Sequence, residues 1–322
     1  MPETIISTSS LTKYYGKVLG VKDLDLEVAS GEVFGFLGPN GAGKTTTIRL
    51  LMGMLKPTTG GGTILGLDTW SQSVGVKRQV GYLPGDARLY RSLKGEEHIR
   101  YVAALNGTGE KTGLELASRL DLDISRRVAG YSRGMGQKLA IVLALMKSPP
   151  VIIMDEPTNG LDPLTQRELY EILNERRNAG ATILFSSHNL PEVERICDRV
   201  GIIRQGELVA TERMENLRAM RLRNVEVIFE GAIPADLDLE SLPGVSEVER
   251  MGNRAQLKLR GDINPLLRLV ARHDVADFTV SHASLEDVFI EFYELPEEKK
   301  EEEEPAVKPP PPPPRLFRRG KS

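Results

Sequence analysis

The sequence predicts an α/β protein: a doubly wound parallel-sheet domain, a smaller α+β domain behind it, and a low-complexity tail. Three observations carry that prediction. Glu32–Leu37 is a short apolar β-type run. It leads through Gly38-Pro39-Asn40-Gly41-Ala42-Gly43-Lys44-Thr45 into Thr46–Met52, which has helical spacing. Two further apolar runs end in polar residues, Val151–Met154 in Asp155-Glu156 and Ala181–Phe185 in Ser186-Ser187-His188. Such runs suit parallel strands buried on both faces, with their carboxyl ends at a ligand crevice. After Asn224 the pattern changes to short runs of period two. A length of 322 residues fits two domains better than one.

The glycine loop matches G-x-x-x-x-G-K-[ST], a pattern that holds nucleotide phosphates when it lies between a strand and a helix. Gly38, Gly41 and Gly43 carry no Cβ, so backbone N–H groups can approach oxyanions. The following helix start adds free N–H groups and the positive end of a dipole. Lys44 supplies a point charge for the outer phosphates. The Thr45 hydroxyl suits Mg²⁺, and Thr46 provides a second hydroxyl. A glycine turn with a chance Lys-Thr is the plainer alternative, and the flanking strand and helix argue against it.

Asp155 and Glu156 close the second strand. A carboxylate there suits Mg²⁺, directly or through water, and the next one is free to polarise an attacking water. A solvated acidic strand end is the competing reading. Pro157 then stops the ladder. A lone histidine is more often structural than catalytic. His188, however, ends a buried strand in a sheet whose other strand ends carry the site, which favours contact with a terminal phosphate or with the water.

Composition narrows the classes further. The chain is 40% hydrophobic and 27% charged, as ordinary globular proteins are, and its net charge of −3 gives no nucleic-acid footprint. Its longest apolar run, Leu139–Met146, falls short of the roughly 20 residues of a membrane span. The amino terminus lacks the basic and apolar regions of a signal peptide. The single cysteine, Cys197, permits no internal disulfide and reads as a small buried hydrophobe. A cytosolic protein is expected.

Together these residues resemble the ATP-binding subunit of an ABC transporter over roughly Ile5–Leu217. Tyr15, in Lys13-Tyr14-Tyr15-Gly16, matches the aromatic residue on which that family stacks adenine. Gly38 to Thr46, Asn40 included, match its phosphate loop, and Asp155 and Glu156 its metal-associated and catalytic acids. Asn159-Gly160-Leu161-Asp162 matches the loop that crosses between subunits, and His188 the switch histidine. Tyr131-Ser132-Arg133-Gly134-Met135 stands where the Leu-Ser-Gly-Gly-Gln signature belongs. The resemblance implies an antiparallel β subdomain and a helical subdomain around the parallel core. It also implies ATP and Mg²⁺ as ligands, and Ser132 and Gly134 reaching the γ-phosphate held by a second ATPase subunit. A separate multi-spanning permease, that of an exporter, would hold the chain at the inner face of the cell membrane. A soluble non-transport ABC ATPase and a regulatory ATP-binding protein with little turnover are the alternatives. Arg133 and Met135 depart from the signature. In Leu83-Pro84-Gly85-Asp86, Gly85 stands where the family usually has a glutamine that senses metal and water; Asp86 or a water would have to substitute.

The remaining segments set the boundaries. The ATPase domain is expected over 1–220, with an amphipathic helical arm at Gly95–Ser125 in which His98 has no special role. A compact module is expected over 224–295. Its strands are placed at Val225–Glu230, Val245–Met251, Gln256–Arg260 and Phe278–Ser281, and its helices at Pro265–Arg272 and Ser284–Glu294. It is similar to the accessory domain of drug- and antibiotic-export subunits, Leu285-Glu286-Asp287-Val288-Phe289 included. The tail, 296–322, has six acids and two lysines in Glu297–Glu304, an unbroken Pro309–Pro314 run, and a basic end at Arg315–Arg319. It is expected to be disordered.

Overall fold

A computed structural model describes residues 3–219, 222–235 and 237–282. The expected helix Ser284–Glu294 and the tail lie outside the described residues. The chain opens with an antiparallel unit, β1 (Thr4–Tyr15), β2 (Val18–Leu24) and β3 (Glu27–Ala29). It then enters the core through β4 (Val33–Leu37) and α1 (Lys44–Leu51). The next elements are β5 (Thr59–Ile64), β6 (Leu67–Asp68), α2 (Ser73–Gln79) and β7 (Val80–Leu83). Three helices follow, α3 (Gly95–Asn106), α4 (Glu110–Arg119) and α5 (Arg133–Leu145). The core resumes with β8 (Val151–Asp155), α6 (Pro163–Asn178), β9 (Thr182–Ser187), α7 (Leu190–Ile196), β10 (Arg199–Arg204), β11 (Glu207–Arg213) and α8 (Met214–Ala219). The second module comprises β12 (Leu222–Phe229), β13 (Val245–Met251), β14 (Arg254–Arg260), α9 (Asn264–Val270) and β15 (Val275–His282).

The central sheet runs β11-β10-β4-β9-β8-β7, parallel except for the β10–β11 hairpin. Its middle strands are buried on both faces, as their continuous apolar runs require. Alternation along β4 sends Val33 and Leu37 into a core shared with α3–α7. Phe34 and Phe36 point the other way, into a core shared with α1 and the antiparallel sheet β2-β1-β5-β6. At Gly35 a Cβ would stand 2.6 Å from Val193 Cγ1 and 2.9 Å from Cys197 Sγ, so the glycine lets α7 lie close on β4. Cys197 is buried at the C-cap of α7, and burial pushes its thiol up. This is the small buried hydrophobe read from the sequence.

The arm carries two helices, and its His98 is structural. The ring is buried; Nε2 accepts from Tyr90 N (3.0 Å) and Nδ1 lies 3.0 Å from Lys94 O, so the neutral tautomer protonated at Nδ1 satisfies both contacts. The helix α5 starts at Arg133, four residues ahead of the Gln137 start read from the sequence. Ser132 caps it by accepting from Met135 N (3.2 Å), which outweighs the low helix propensity of Gly134 and Gly136.

The second module is an antiparallel sheet, β13-β14-β12-β15, with the expected strands and α9 in place. Its β12 begins two residues before Asn224. Period-two alternation puts Val225, Val227 and Phe229 on one face, with Ala255, Leu257 and Leu259 beside them and Leu266 of α9 above.

Candidate functional site

The carboxyl ends of β4, β8 and β9 converge on the loop before α1. Gly43, the N-cap of α1, has φ 112°, and a Cβ there would lie 2.9 Å from Gly20 O. At Gly38 a Cβ would meet Ile203 O at 2.3 Å. The loop's course thus needs glycine at both positions, for backbone conformation and space at Gly43 and for space at Gly38. Lys44 is buried at the helix start, its ammonium donating to Gly38 O (2.6 Å) and Pro39 O (3.1 Å) and pairing with Glu156 Oε1 (3.1 Å). Charge and carboxylate therefore face each other across the mouth of the loop.

Asp155 is 1% exposed, and both its oxygens accept hydroxyl bonds: Oδ2 from Thr45 (2.8 Å) and Oδ1 from Ser186 (2.7 Å). Burial, then the charge of Asp155, pushes the neighbouring Tyr82 phenol up to about 12. Glu156 leaves the strand with φ 51°, a left-handed conformation uncommon for a residue with a side chain. Its N–H lies 3.1 Å from Ser186 Oγ and 3.2 Å from Ser186 O, which anchors the bend. The turned side chain meets His188: Nδ1 lies 2.5 Å from Glu156 Oε2, with Asn159 Nδ2 3.4 Å from the same oxygen. Lys44, Glu156 and His188 are thus linked in one chain of contacts, beside the Thr45–Asp155 pair.

A cleft of about 430 Å³ opens above the loop, bounded by Tyr15, Val18, Gly20, Asn40, Gly41, Lys44, Thr46, Glu156 and Asn159. The Tyr15 ring is half exposed at its edge, its hydroxyl 3.5 Å from Thr46 Oγ1 and the Lys13 ammonium 5.6 Å from the ring centre. Gly20 permits that placement, since a Cβ there would be 2.9 Å from Tyr15 Cε2. The cleft thus offers a flat aromatic at one end and a cationic, N–H-rich loop at the other. That is the layout a nucleotide's base and phosphates require.

Ser132, Gly134 and Asp162 do not line this cleft. The start of α5 instead meets the segment that leads to Asp162: a Cβ on Gly134 would lie 2.7 Å from Gly160 O, and Gln137 Nε2 donates to Pro157 O (2.9 Å). Asp162 caps α6, accepting from Thr165 N (3.0 Å) and Thr165 Oγ1 (2.7 Å), and the Thr165 hydroxyl leads the interactions that hold its carboxyl below the usual range. Asp86 is the residue that follows Gly85. It is mostly exposed and pairs with Arg88 (3.6 Å). Position 85 itself does face the acid, since a Cβ there would stand 3.3 Å from Asp155 Oδ2.

Among the described residues no group of three His, Cys, Asp or Glu side chains forms a metal cage. The hydroxyl–carboxylate pair Thr45–Asp155 instead provides two hard oxygen donors beside the phosphate loop, suited to a cation that keeps most of its waters. Sequence reading gave no role to Ser186, Gly20 or Glu192, and placed Asn159 only in the loop that crosses between subunits. Their only sequence signal was proximity to motif residues, and their roles arise from contacts between distant strand ends.

Comparison with known proteins agrees with this geometry. The family description "ABC transporter" matches residues 21–159, and "ATP-binding protein DrrA1-3-like, C-terminal domain" matches residues 214–293. The bacitracin transport ATP-binding protein BcrA of Bacillus licheniformis is 33% identical over 296 residues, spanning 89% of this chain and 97% of that one. The ABC transporter ATP-binding protein NatA of Bacillus subtilis is 38% identical over 220 residues, 66% of this chain and 89% of its own. A solved structure titled as the ATP-binding subunit of an ABC transporter is 35% identical, with a TM-score of 0.61 over 67% of this chain and 92% of its own. A dimeric bacterial ABC transporter cassette has the same fold at 24% identity and TM-score 0.61, over 65% of this chain and 99% of its own.

Proposed function

This chain belongs to the ABC transporter family as an ATP-binding, ATP-hydrolysing subunit, and from that premise we propose that it drives a separate multi-spanning permease that exports drug- or antibiotic-like molecules. The observation that carries the hydrolytic reading is the contact chain Lys44–Glu156–His188 at the mouth of the glycine loop. Tyr15 would stack the adenine. Gly38, Asn40, Gly41, Gly43, Lys44 and Thr46 would hold the phosphates. Thr45 and Asp155 would hold Mg²⁺, which would supply neutralising charge to the phosphates. Glu156 would polarise a water towards the γ-phosphorus as the bond to the ADP oxygen breaks, and His188 would orient Glu156 and contact the γ-phosphate. Ser132, Gly134 and Asp162, which lie off the chain's own cleft, would complete the site of a second subunit, so that ATP bridges two copies or two paralogues. Export is supported by the name of the bacitracin transport relative and by the match of residues 214–293 to the DrrA1-3-like C-terminal domain.

The test is affinity purification of the Glu156→Gln chain with Mg-ATP from detergent-solubilised native membranes, with the co-eluting chains identified by mass spectrometry. A stoichiometric multi-spanning partner is expected. Recovery of only soluble or ribosomal proteins, from membranes in which other complexes survive, would overturn the transporter reading and place the chain on the inner membrane face no longer.

A further inference from the structure

Behind the proposed hydrolytic pair a second carboxylate joins the two segments that carry it. Glu192, half buried on the first turn of α7, accepts from two hydroxyls. Its Oε1 takes the bond from Thr158 Oγ1 (2.9 Å), and its Oε2 takes that from Ser187 Oγ (2.7 Å). Thr158 lies two residues after Glu156, and Ser187 immediately precedes His188. Both hydroxyl residues are buried, at 4% and 0% exposure, so water does not compete freely for these bonds. The Ser187 hydroxyl also accepts from Asn189 N (2.9 Å), which fixes its direction towards Glu192. The contacts form a closed ring: Glu156, along the chain to Thr158, across to Glu192, across to Ser187, along to His188, and back to Glu156 over 2.5 Å.

Removing one link of such a ring releases both loops. We propose that Glu192 is a positioning residue for ATP hydrolysis: it clamps the loop after Glu156 to the strand end bearing His188 and so sets the distance between those two side chains. The inference rests on the hydrolytic reading of Glu156 and His188. The clamp also links the reacting pair to the Asn159–Asp162 segment, because Thr158 is the first residue of the path into that segment. Two neutral hydroxyls on a carboxylate are an arrangement for holding geometry. The hydrogen bonds of Glu192 go to Thr158 and Ser187, so its influence on Glu156 and His188 passes through the backbone on either side.

The test uses the full chain and measures kcat and KM for Mg-ATP, ATP binding by calorimetry, and thermal melting. Glu192→Ala should lower kcat by about tenfold to a hundredfold, the scale of a misplacement near 1 Å, with KM and ATP affinity within about threefold of wild type. Glu192→Gln, which keeps the shape and an acceptor oxygen, should restore kcat to within about threefold. Thr158→Val and Ser187→Ala should each lower kcat, and neither should add its full effect to Glu192→Ala, because all three break the same ring. An unchanged kcat in Glu192→Ala, or full additivity in the double variants, overturns the inference. So does a loss of kcat matched by lost ATP affinity, or a Glu192→Gln variant as impaired as the alanine. If Glu192→Ala does not fold, Thr158→Val and Ser187→Ala with Glu192→Gln decide the matter by the same criteria. Glu156→Gln is the control. Turnover abolished there while Glu192→Ala is unaffected removes only the clamp, whereas full turnover in Glu156→Gln removes the hydrolytic reading and the clamp with it.

Discussion

At Gly43 two demands meet in one residue. Its φ of 112° is one that achiral glycine adopts freely and L residues rarely do, and a Cβ would sit 2.9 Å from the carbonyl oxygen of Gly20, a backbone atom with little freedom to yield. At Gly41 the φ of 83° imposes the conformational cost, but a Cβ would meet nothing within 4 Å. Gly41→Ala should therefore destabilise by about 1 kcal/mol and Gly43→Ala by about 3 kcal/mol, the range of strained backbone positions. Melting curves of the two variants check this, and equal shifts would refute the contact argument. Most of the proposed site was legible in the sequence at this scale. Lys44, Thr45, Asp155, Glu156 and His188 each lie at the end of an apolar strand or the start of a helix, and strand ends of a parallel sheet meet by topology. What was not legible depends on distances across the sheet. Ser186 bonds Asp155 from 31 positions away and Glu192 bonds Thr158 from 34 positions away, and neither side chain has a local pattern that announces its partner. The left-handed turn at Glu156 was hidden for the same reason, since only the Ser186 anchors make it tolerable.

The helices show how a short arm is fixed to the core. Arg119, at the end of α4, makes a fork on Glu175 of α6 at 2.6 and 2.9 Å and a further bond to Glu168 at 2.7 Å. The Glu175 bonds, ahead of the Glu168 bond, raise the guanidinium's affinity for its proton; Arg119 in turn pulls the Glu175 carboxyl below its usual range. Bidentate geometry on a two-acid cluster makes this pair stronger than an isolated surface bridge, although partial exposure limits it. Arg119→Ala should cost about 1 kcal/mol, and the difference from wild type should shrink as salt rises towards 1 M, where screening reaches 3 Å. A salt-independent difference in melting temperature would assign the effect to lost packing. The amphipathic spacing of α3 and α4 announced the helices; the sequence held no sign of which α6 acids would receive Arg119, because the pairs span 49 and 56 residues. The α5 start was misjudged for a local reason, since Gly134 and Gly136 mask a cap that Ser132 supplies.

On the scale of the whole molecule, the chain divides the residues of the proposed binding chemistry between two surfaces. The cleft above the phosphate loop collects Tyr15, Lys44 and Glu156, while Ser132 and Gly134 stand at the start of α5, beside the Gly160 loop and outside that cleft. A hydroxyl and amides at the start of a 13-residue helix suit a phosphate, and they stand outside their own chain's cleft. A second copy turned head to tail would place them on the phosphates of the first, with ATP joining the two surfaces. Association should then depend on ATP and persist longest when hydrolysis is blocked. Size-exclusion chromatography with light scattering on the Glu156→Gln chain should give a particle of twice the 35.5 kDa chain mass in Mg-ATP and a single chain in Mg-ADP. Lys44→Ala, deprived of the proposed phosphate contact, should stay single in both. A Glu156→Gln chain that binds Mg-ATP at saturation yet remains single refutes the bridging arrangement. A dimer of equal stability with ATP, with ADP and without nucleotide refutes it too, because the nucleotide would then contribute nothing to the free energy of association.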